Sequence, residues 1–220
     1  MSGPKSVLVA FGAIGCVVGC SSGFRSGTPP PQTYVLRASL ERAEALPDAP
    51  SLQVTRPLPS PGFETDRIVL VRSDRRLDHF SGIRWAAELP EVVEALAVQS
   101  LRSAAAFSAV HDSGAAFSPD YLLRLTIRRF EADYTGGGGA PRVHVAFDCT
   151  LGRRSDRQVL ASFAAEGVAD AQANRANAVI GAFETAADAA VASMAEQILA
   201  ALRENGSRLP ASALRPEQER

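Results

Sequence analysis
Residues 120–134 read DYLLRLTIRRFEADY. Tyr121, Leu123, Leu125 and Ile127 alternate with Arg124, Thr126 and Arg128. That period of two belongs to a strand with one buried face. The alternation loses phase at Arg129-Phe130, where a β-bulge is expected. Further along, residues 142–152 alternate again and place Val143, Val145, Phe147, Cys149 and Leu151 on one face. Residues 158–168 form a third such run. The connecting segments TGGGGAP and RRSD have turn composition, so the three runs are expected to form an antiparallel meander.

Downstream of the meander, residues 175–203 carry one apolar stripe at helical spacing: Ile180, Phe183, Ala187, Ala190, Val191, Met194, Ile198 and Leu202. Asn205-Gly206 is the expected stop. Upstream, Pro90 suits a first helical turn and Glu91 and Glu94 suit its positive end. Leu89, Val92, Val93 and Leu96 give this helix a shared face, and it is expected to reach about Ala106. Trp85 stands just before it. Shorter strands are expected at residues 33–39, 51–56 and 67–72, the last apolar on both faces. Residues 76–80 are the expected hairpin partner of 67–72, and 107–111 form another short strand. The segment PLPSPGFET reads as a proline-rich connection. The expected fold class is α+β: a mixed, mainly antiparallel sheet with a three-strand meander, packed by two main helices, one mid-chain and one long and C-terminal.

The chain begins MSGPKSVLVAFGAIGCVVGC. Lys5, the only lysine, precedes an uncharged apolar run from Val7 to Val18. A bilayer span needs about 20 apolar residues, so this shorter run reads as a secretory signal. Val17-Val18-Gly19-Cys20 resembles the bacterial lipoprotein box, which implies cleavage between Gly19 and Cys20 and acylation (palmitate among the acyl groups) of the Cys20 sulfur and its new amino group. Ala13-Ile14-Gly15-Cys16 is a poorer match, because its first position is alanine and cleavage there would leave an apolar remnant. Ser21 after the cysteine favours the outer membrane over the inner. The expected organisation is a signal peptide at 1–19, a lipidated Cys20 with a Gly/Ser/Pro tether at 20–32, a folded domain at 33–204 and a disordered tail at 205–220.

Composition narrows the function. The net charge is −1 at 220 residues, which gives no basic excess for nucleic acid. With 46% apolar residues the chain can bury a sizeable core. Its three histidines, His79, His111 and His144, fall on separate elements without metal-ligand spacing. His144 is expected to be an exposed polar residue, and Cys149 a buried inert thiol. Gly136–Gly139 lacks the lysine and Ser/Thr of a phosphate loop and reads as a hairpin tip. Arg124 and Arg128, with Glu131 and Asp133, read as a solvated strand face or a contact surface. Trp85 reads as a cap on the core, and the C-terminal stripe as core or an oligomer interface. No catalytic, metal or cofactor-binding residue is expected.

The order of parts resembles a known family. Tyr34-Val35-Leu36 comes early, then Leu52-Gln53-Val54 before the proline-rich connection. Asp66-Arg67-Ile68-Val69-Leu70 leads to Arg84-Trp85-Ala86 at the head of a helix. Tyr121-Leu122-Leu123-Arg124-Leu125 runs into Arg129-Phe130-Glu131, and an alanine-rich helix closes the chain. With the lipoprotein box, this resembles the ABC-type transport auxiliary lipoproteins, also called PqiC-like, from about Tyr34 to Leu202. The resemblance implies a non-enzymatic lipoprotein of the periplasm, anchored to the outer membrane, that docks the periplasmic MCE-domain protein of a transport system for lipids or hydrophobic molecules. The ABC permease and ATPase of that system are further implied partners, and a homo-oligomer is possible. Only Cys20 carries over as a defined position. The alternative is a lipoprotein regulator or adaptor of a cell-envelope enzyme.

Overall fold
The computed structural model describes residues 30–208 apart from 39, 45, 47, 48 and 138, with side chains through residue 205. In chain order the elements are β1 (Gln32–Tyr34), β2 (Ser51–Val54), β3 (Leu58–Pro59), β4 (Arg67–Val71), β5 (Leu77–Trp85), α1 (Leu89–Ser103), β6 (Ala109–His111), β7 (Tyr121–Asp133), β8 (Arg142–Arg153), β9 (Val159–Asp170) and α2 (Ala176–Arg208). The architecture is α+β, a mixed sheet with two helices, as the sequence pattern implies.

The sheet is organised around β7. Its whole length pairs antiparallel with β8, which in turn pairs antiparallel with β9. With one edge of β7 taken by β8, the other is shared in sequence order by three short parallel partners. Leu52 to Val54 of β2 pair with Tyr121 to Leu123, Leu58 and Pro59 of β3 with Thr126 and Ile127, and Leu70 and Val71 of β4 with Ala132 and Asp133. β6 runs parallel along the far edge of β2, β5 antiparallel along β4, and β1 parallel along β5. The long pairings are therefore antiparallel and the short ones parallel. β4 is buried on both faces because it lies between two strands under the core, with Ile68, Val69 and Leu70 all inside.

The bulge falls at Arg128. Ile127 faces Phe147 and Arg129 faces Ala146, so one residue of β7 is left over. Before it, Leu123, Leu125 and Ile127 face the core; after it, Phe130 and Ala132 do. The extra residue converts an odd-numbered apolar face into an even-numbered one.

All eight residues of the C-terminal stripe, from Ile180 to Leu202, are buried. α2 lies over β8 and β9 and also touches α1, so both helices share one core. By length and composition alone α2 could cross a membrane, but more than half of its apolar stretch is covered by the domain itself. At the centre of the core, Trp85 of β5 meets Phe130 of β7 and Phe183 of α2 edge-on, at 5.9 and 5.3 Å between ring centres. Phe130 and Phe183 stack at 5.3 Å. Such pairs add about 0.5–1.5 kcal/mol each beyond burial.

Several boundaries differ from the sequence reading. β1 covers Gln32–Tyr34 instead of running to residue 39, because its pairing with β5 ends at Trp85. The proline-rich connection contains β3, whose Pro59 has no N–H to pair and whose neighbour Ser60 donates its N–H to the Ile127 carbonyl. β5 extends to Trp85 because β1 and β4 both pair with it. α1 stops at Ser103, and the chain turns away through Ala105 at φ 54°. α2 continues through Asn205 and Gly206 to Arg208. A single glycine costs a helix only about 1 kcal/mol, and Arg153 holds Asn205 by a 2.8 Å bond to its side-chain oxygen.

Gly167 of β9 sets the distance between helix and sheet. A Cβ there would come 1.9 Å from the carbonyl oxygen of Ala186 in α2. Gly167→Ala is therefore expected to lower unfolding stability by about 1–3 kcal/mol. Gly136→Ala, whose Cβ would meet nothing within 4 Å, is expected to stay within about 0.5 kcal/mol of the parent. Urea unfolding of both variants checks this.

Candidate functional site
Four titratable side chains interlock on the meander beyond the bulge. Arg129, Glu131 and Asp133 come from β7 and His144 from β8. The bulge brings these three β7 residues onto one face, and Glu131 sits opposite His144 in the ladder. Glu131 is 4% exposed, so it is not part of a solvated face. Its carboxylate accepts from Arg129 Nε at 2.5 Å and from the Phe130 backbone N–H at 3.0 Å. The N–H freed by the irregular ladder is thus satisfied by the next side chain. Arg129 also reaches Asp133 at 3.4 Å and donates to His144 Nδ1 at 3.3 Å.

His144 is half-buried where the alternation suggested an exposed position, because Arg129 and Asp133 lie over it. Burial, then the Arg129 charge, hold its imidazole below the ordinary value against the opposing pull of Asp133 and Glu131. Asp133 is pushed up by burial, but bonds from Thr135 and the charges of His144 and Arg129 outweigh this and leave it below the ordinary carboxylate value. The cluster is saturated with mutual contacts and opens onto none of the clefts described below. Its chemistry is to pin the bulge.

The other candidate residues lie apart. His79 is on β5, and His111 on β6 lies against Phe117 at 5.7 Å. Among the described residues no group of three or more His, Cys, Asp or Glu side chains is placed to hold a metal ion. Cys149 faces the core, and burial, with a smaller push from Asp148, raises its thiol to about 12. Trp85 is 1% exposed at the centre of the core rather than at its rim. Gly136, Gly137 and Gly139 lie in the β7–β8 connection, with Gly138 outside the described residues. Gly19 and Cys20 also lie outside them.

A second feature lies at the opposite end of the meander. There the outer face of β7 and β8 meets the β8–β9 turn in an open cleft of about 490 Å³. Arg124, Arg153, Arg154 and Arg157 line it, together with Leu122 and Val159. Arg124 belongs to the strand face read from the sequence, whereas Arg128 is tied to Glu166 and Asp148. The turn arginines had been read only as turn composition. Their sequence signal is three arginines within the five residues RRSDR, 153–157. Two further open clefts lie between β9 and the end of α2, and along the exposed side of α1.

Comparison with known proteins adds to this. Residues 34–198 match the family model described as the ABC-type transport auxiliary lipoprotein component. Protein XCC0632 from Xanthomonas campestris is similar in structure, with a TM-score of 0.67 and 22% identity over 81% of this chain and 97% of that one. A crystal structure of an uncharacterized protein is similar at a TM-score of 0.61 and 15% identity, over 77% and 99% of the two chains. At these identities the two structures speak for the fold. None of the curated proteins matches the chain.

Two outcomes follow from the pinned bulge. Glu131→Ala removes the acceptor of a buried N–H and is expected to cost about 1–3 kcal/mol in urea unfolding. The unfolded chain takes up a proton at His144 more readily than the folded one. Stability is therefore full above about pH 6.5 and falls as pH drops through that value towards the folded-state pKa. A second loss follows below the ordinary aspartate value, as Asp133 and the Ser51-bonded Asp120 take up protons. In His144→Gln the first loss is expected to vanish and the second to remain, read as urea midpoints between pH 8 and pH 3.

Proposed function
The chain belongs to the ABC-type transport auxiliary lipoprotein family, and on that premise we propose that it is the outer-membrane-anchored, non-catalytic docking component of a transport system for lipids or other hydrophobic molecules. In this reading Cys20 carries the acyl chains and residues 21–32 form the tether. The domain stands in the periplasm and receives an MCE-domain protein served by an ABC permease and ATPase. Two or more acyl chains anchor stably, since each buried CH₂ contributes about 0.8 kcal/mol. The tether's reach, roughly 40 Å at about 3.3–3.6 Å per residue, suits a partner that comes to the membrane more than one the domain must cross the wall to meet.

The observation that carries the reading is the family match, which runs from the last residue of β1 through β9 and most of α2. The site geometry agrees with a binding role: the polar cluster that closes over the bulge is spent on the fold, and the clefts are open surfaces.

The test is recovery of partners through a C-terminal tag from gently solubilised envelopes, with mass spectrometry of both the partners and the tagged chain. The mature chain is expected to start at an acylated Cys20 and to bring down an MCE-domain protein with its permease or ATPase. Cys20→Ala is expected to remain unacylated and to lose most of that recovery. A cell-envelope enzyme recovered in their place would shift the function to an adaptor of that enzyme.

A further inference from the structure
The arginines of the meander divide into two groups. Arg128, Arg129, Arg142 and Arg153 are each ion-paired, the last with Asp156. Arg124, Arg154 and Arg157 are exposed and have no ion pair among the described residues. All three line the cleft where β7 begins and β8 turns into β9. Neither nearby acid pairs with them: Asp120 is bonded to Ser51, and Asp156 to Arg153 and Gln158. The turn places Arg157 at φ 60°, a conformation that asparagine or glycine adopts more easily. Three guanidinium groups without an ion pair among the described residues thus stand together in one cleft of a protein of net charge −1. Val159, 59% exposed, stands among them with Leu122.

The position of this pole matters as much as its charge. β1 lies beside β5, with Gln32 level with Ile83, and Tyr34 reaches Asn177 at the start of α2. α2 starts at the Asp133 end of the meander and finishes at the other end, where Arg153 bonds Asn205. The thirteen residues of β7 separate the two ends by about 40 Å. The arginine pole therefore lies far from the end at which β1 meets the start of α2.

We propose that the cleft formed by Arg124, Arg154 and Arg157 with Leu122 and Val159 is a docking surface for an acidic segment of a partner protein, one carrying clustered Asp or Glu side chains beside an apolar residue. Guanidinium groups bind carboxylates in a planar, two-pronged fashion and discriminate by charge. The two aliphatic side chains offer a shallow apolar seat, enough for one partner side chain and too little to shelter an acyl chain. Arg153, held by Asp156 and Asn205, shapes the cleft rather than supplying free charge. The identity of the partner as a transport component rests on the function proposed above; the surface and its chemistry do not.

Two measurements on the full-length acylated chain test this. In the first, Val159 is replaced by the photo-crosslinking residue p-benzoylphenylalanine and irradiated in intact envelopes. The adduct is expected to map to a partner segment with clustered carboxylates, and to fall at least tenfold in Arg124→Glu/Arg154→Glu/Arg157→Glu. Arg75→Glu, on the β4–β5 turn at the other end, is expected to leave it unchanged. Charge reversal of the mapped carboxylates is expected to restore the adduct to the triple variant. In the second, a fluorescent octapeptide of alternating glutamate and leucine is titrated at low salt, with the lysine-leucine peptide and phosphatidylglycerol vesicles as alternatives. The glutamate peptide is expected to bind and to weaken at least tenfold in the triple variant, whose thermal midpoint stays that of the parent.

An adduct to lipid, preference for the vesicles, or an adduct and peptide affinity unaffected by the triple reversal would overturn the surface. If the parent chain still recovers the transport components while the triple variant does so equally well, the surface falls and the proposed function stands. If the parent recovers none, yet Val159 crosslinks an acidic segment of another protein in an arginine-dependent way, the function falls and the surface stands.

Discussion
The extra residue at Arg128 is the constraint from which the rest of the domain takes its geometry. A strand's side chains alternate with period two, so a one-residue shift sends every later side chain to the other face. Without it, Arg129, Glu131 and Asp133 would point into the core, and Phe130 and Ala132 into solvent. With it, Phe130 reaches Trp85 and Phe183, and a central aromatic cluster ties β5, β7 and α2 together. The polar residues that the shift moves outward then close over it. Glu131 takes the Phe130 N–H, and Arg129 holds Glu131. The irregularity is maintained by side chains that its own existence places there.

The strand that carries this bulge also spends both of its edges. β8 occupies one edge along its whole length, and the segment from Ser51 to Val71 lays three short strands along the other. Those strands are too short to hold themselves; each is fixed by a long neighbour and by the helices above. At the far side, Gly167 lets the backbone of α2 come within reach of β9, and Gln197 donates its amide to the Ala164 carbonyl. The alanines of α2 serve the same closeness, since large side chains along Ala182, Ala186 and Ala190 would push the helix off the sheet.

A fold stabilised in this way spends this polar cluster on itself. The Arg129–Glu131–Asp133–His144 group is closed by mutual contacts, while the opposite pole presents arginines with no ion pair among the described residues. Family membership makes the chain an auxiliary component of a transport system, and the arginine cleft lies at the opposite end of β7 from the closed cluster.

The local patterns were legible without the structure because they depend on period and turn chemistry alone. The alternation of residues 120–134 and its break, the helical stripe from Ile180 to Leu202, and the family's order of parts from Tyr34 to Leu202 identify the meander, the core helix and the family. The break itself was placed one residue late, at Arg129-Phe130, because hydrophobic phase reports that a shift occurred but not which residue is left unpaired. Tertiary structure alone decided the rest. Parallel pairing of β2, β3 and β4 with β7 joins residues some sixty to seventy positions apart, and no local pattern encodes such a register. The burial of Glu131 and His144 required neighbours from a second strand to cover them. The arginine cleft needed β7, β8 and the β8–β9 turn to be brought side by side, since the run RRSDR reads as an ordinary turn until Arg124 and Leu122 stand next to it.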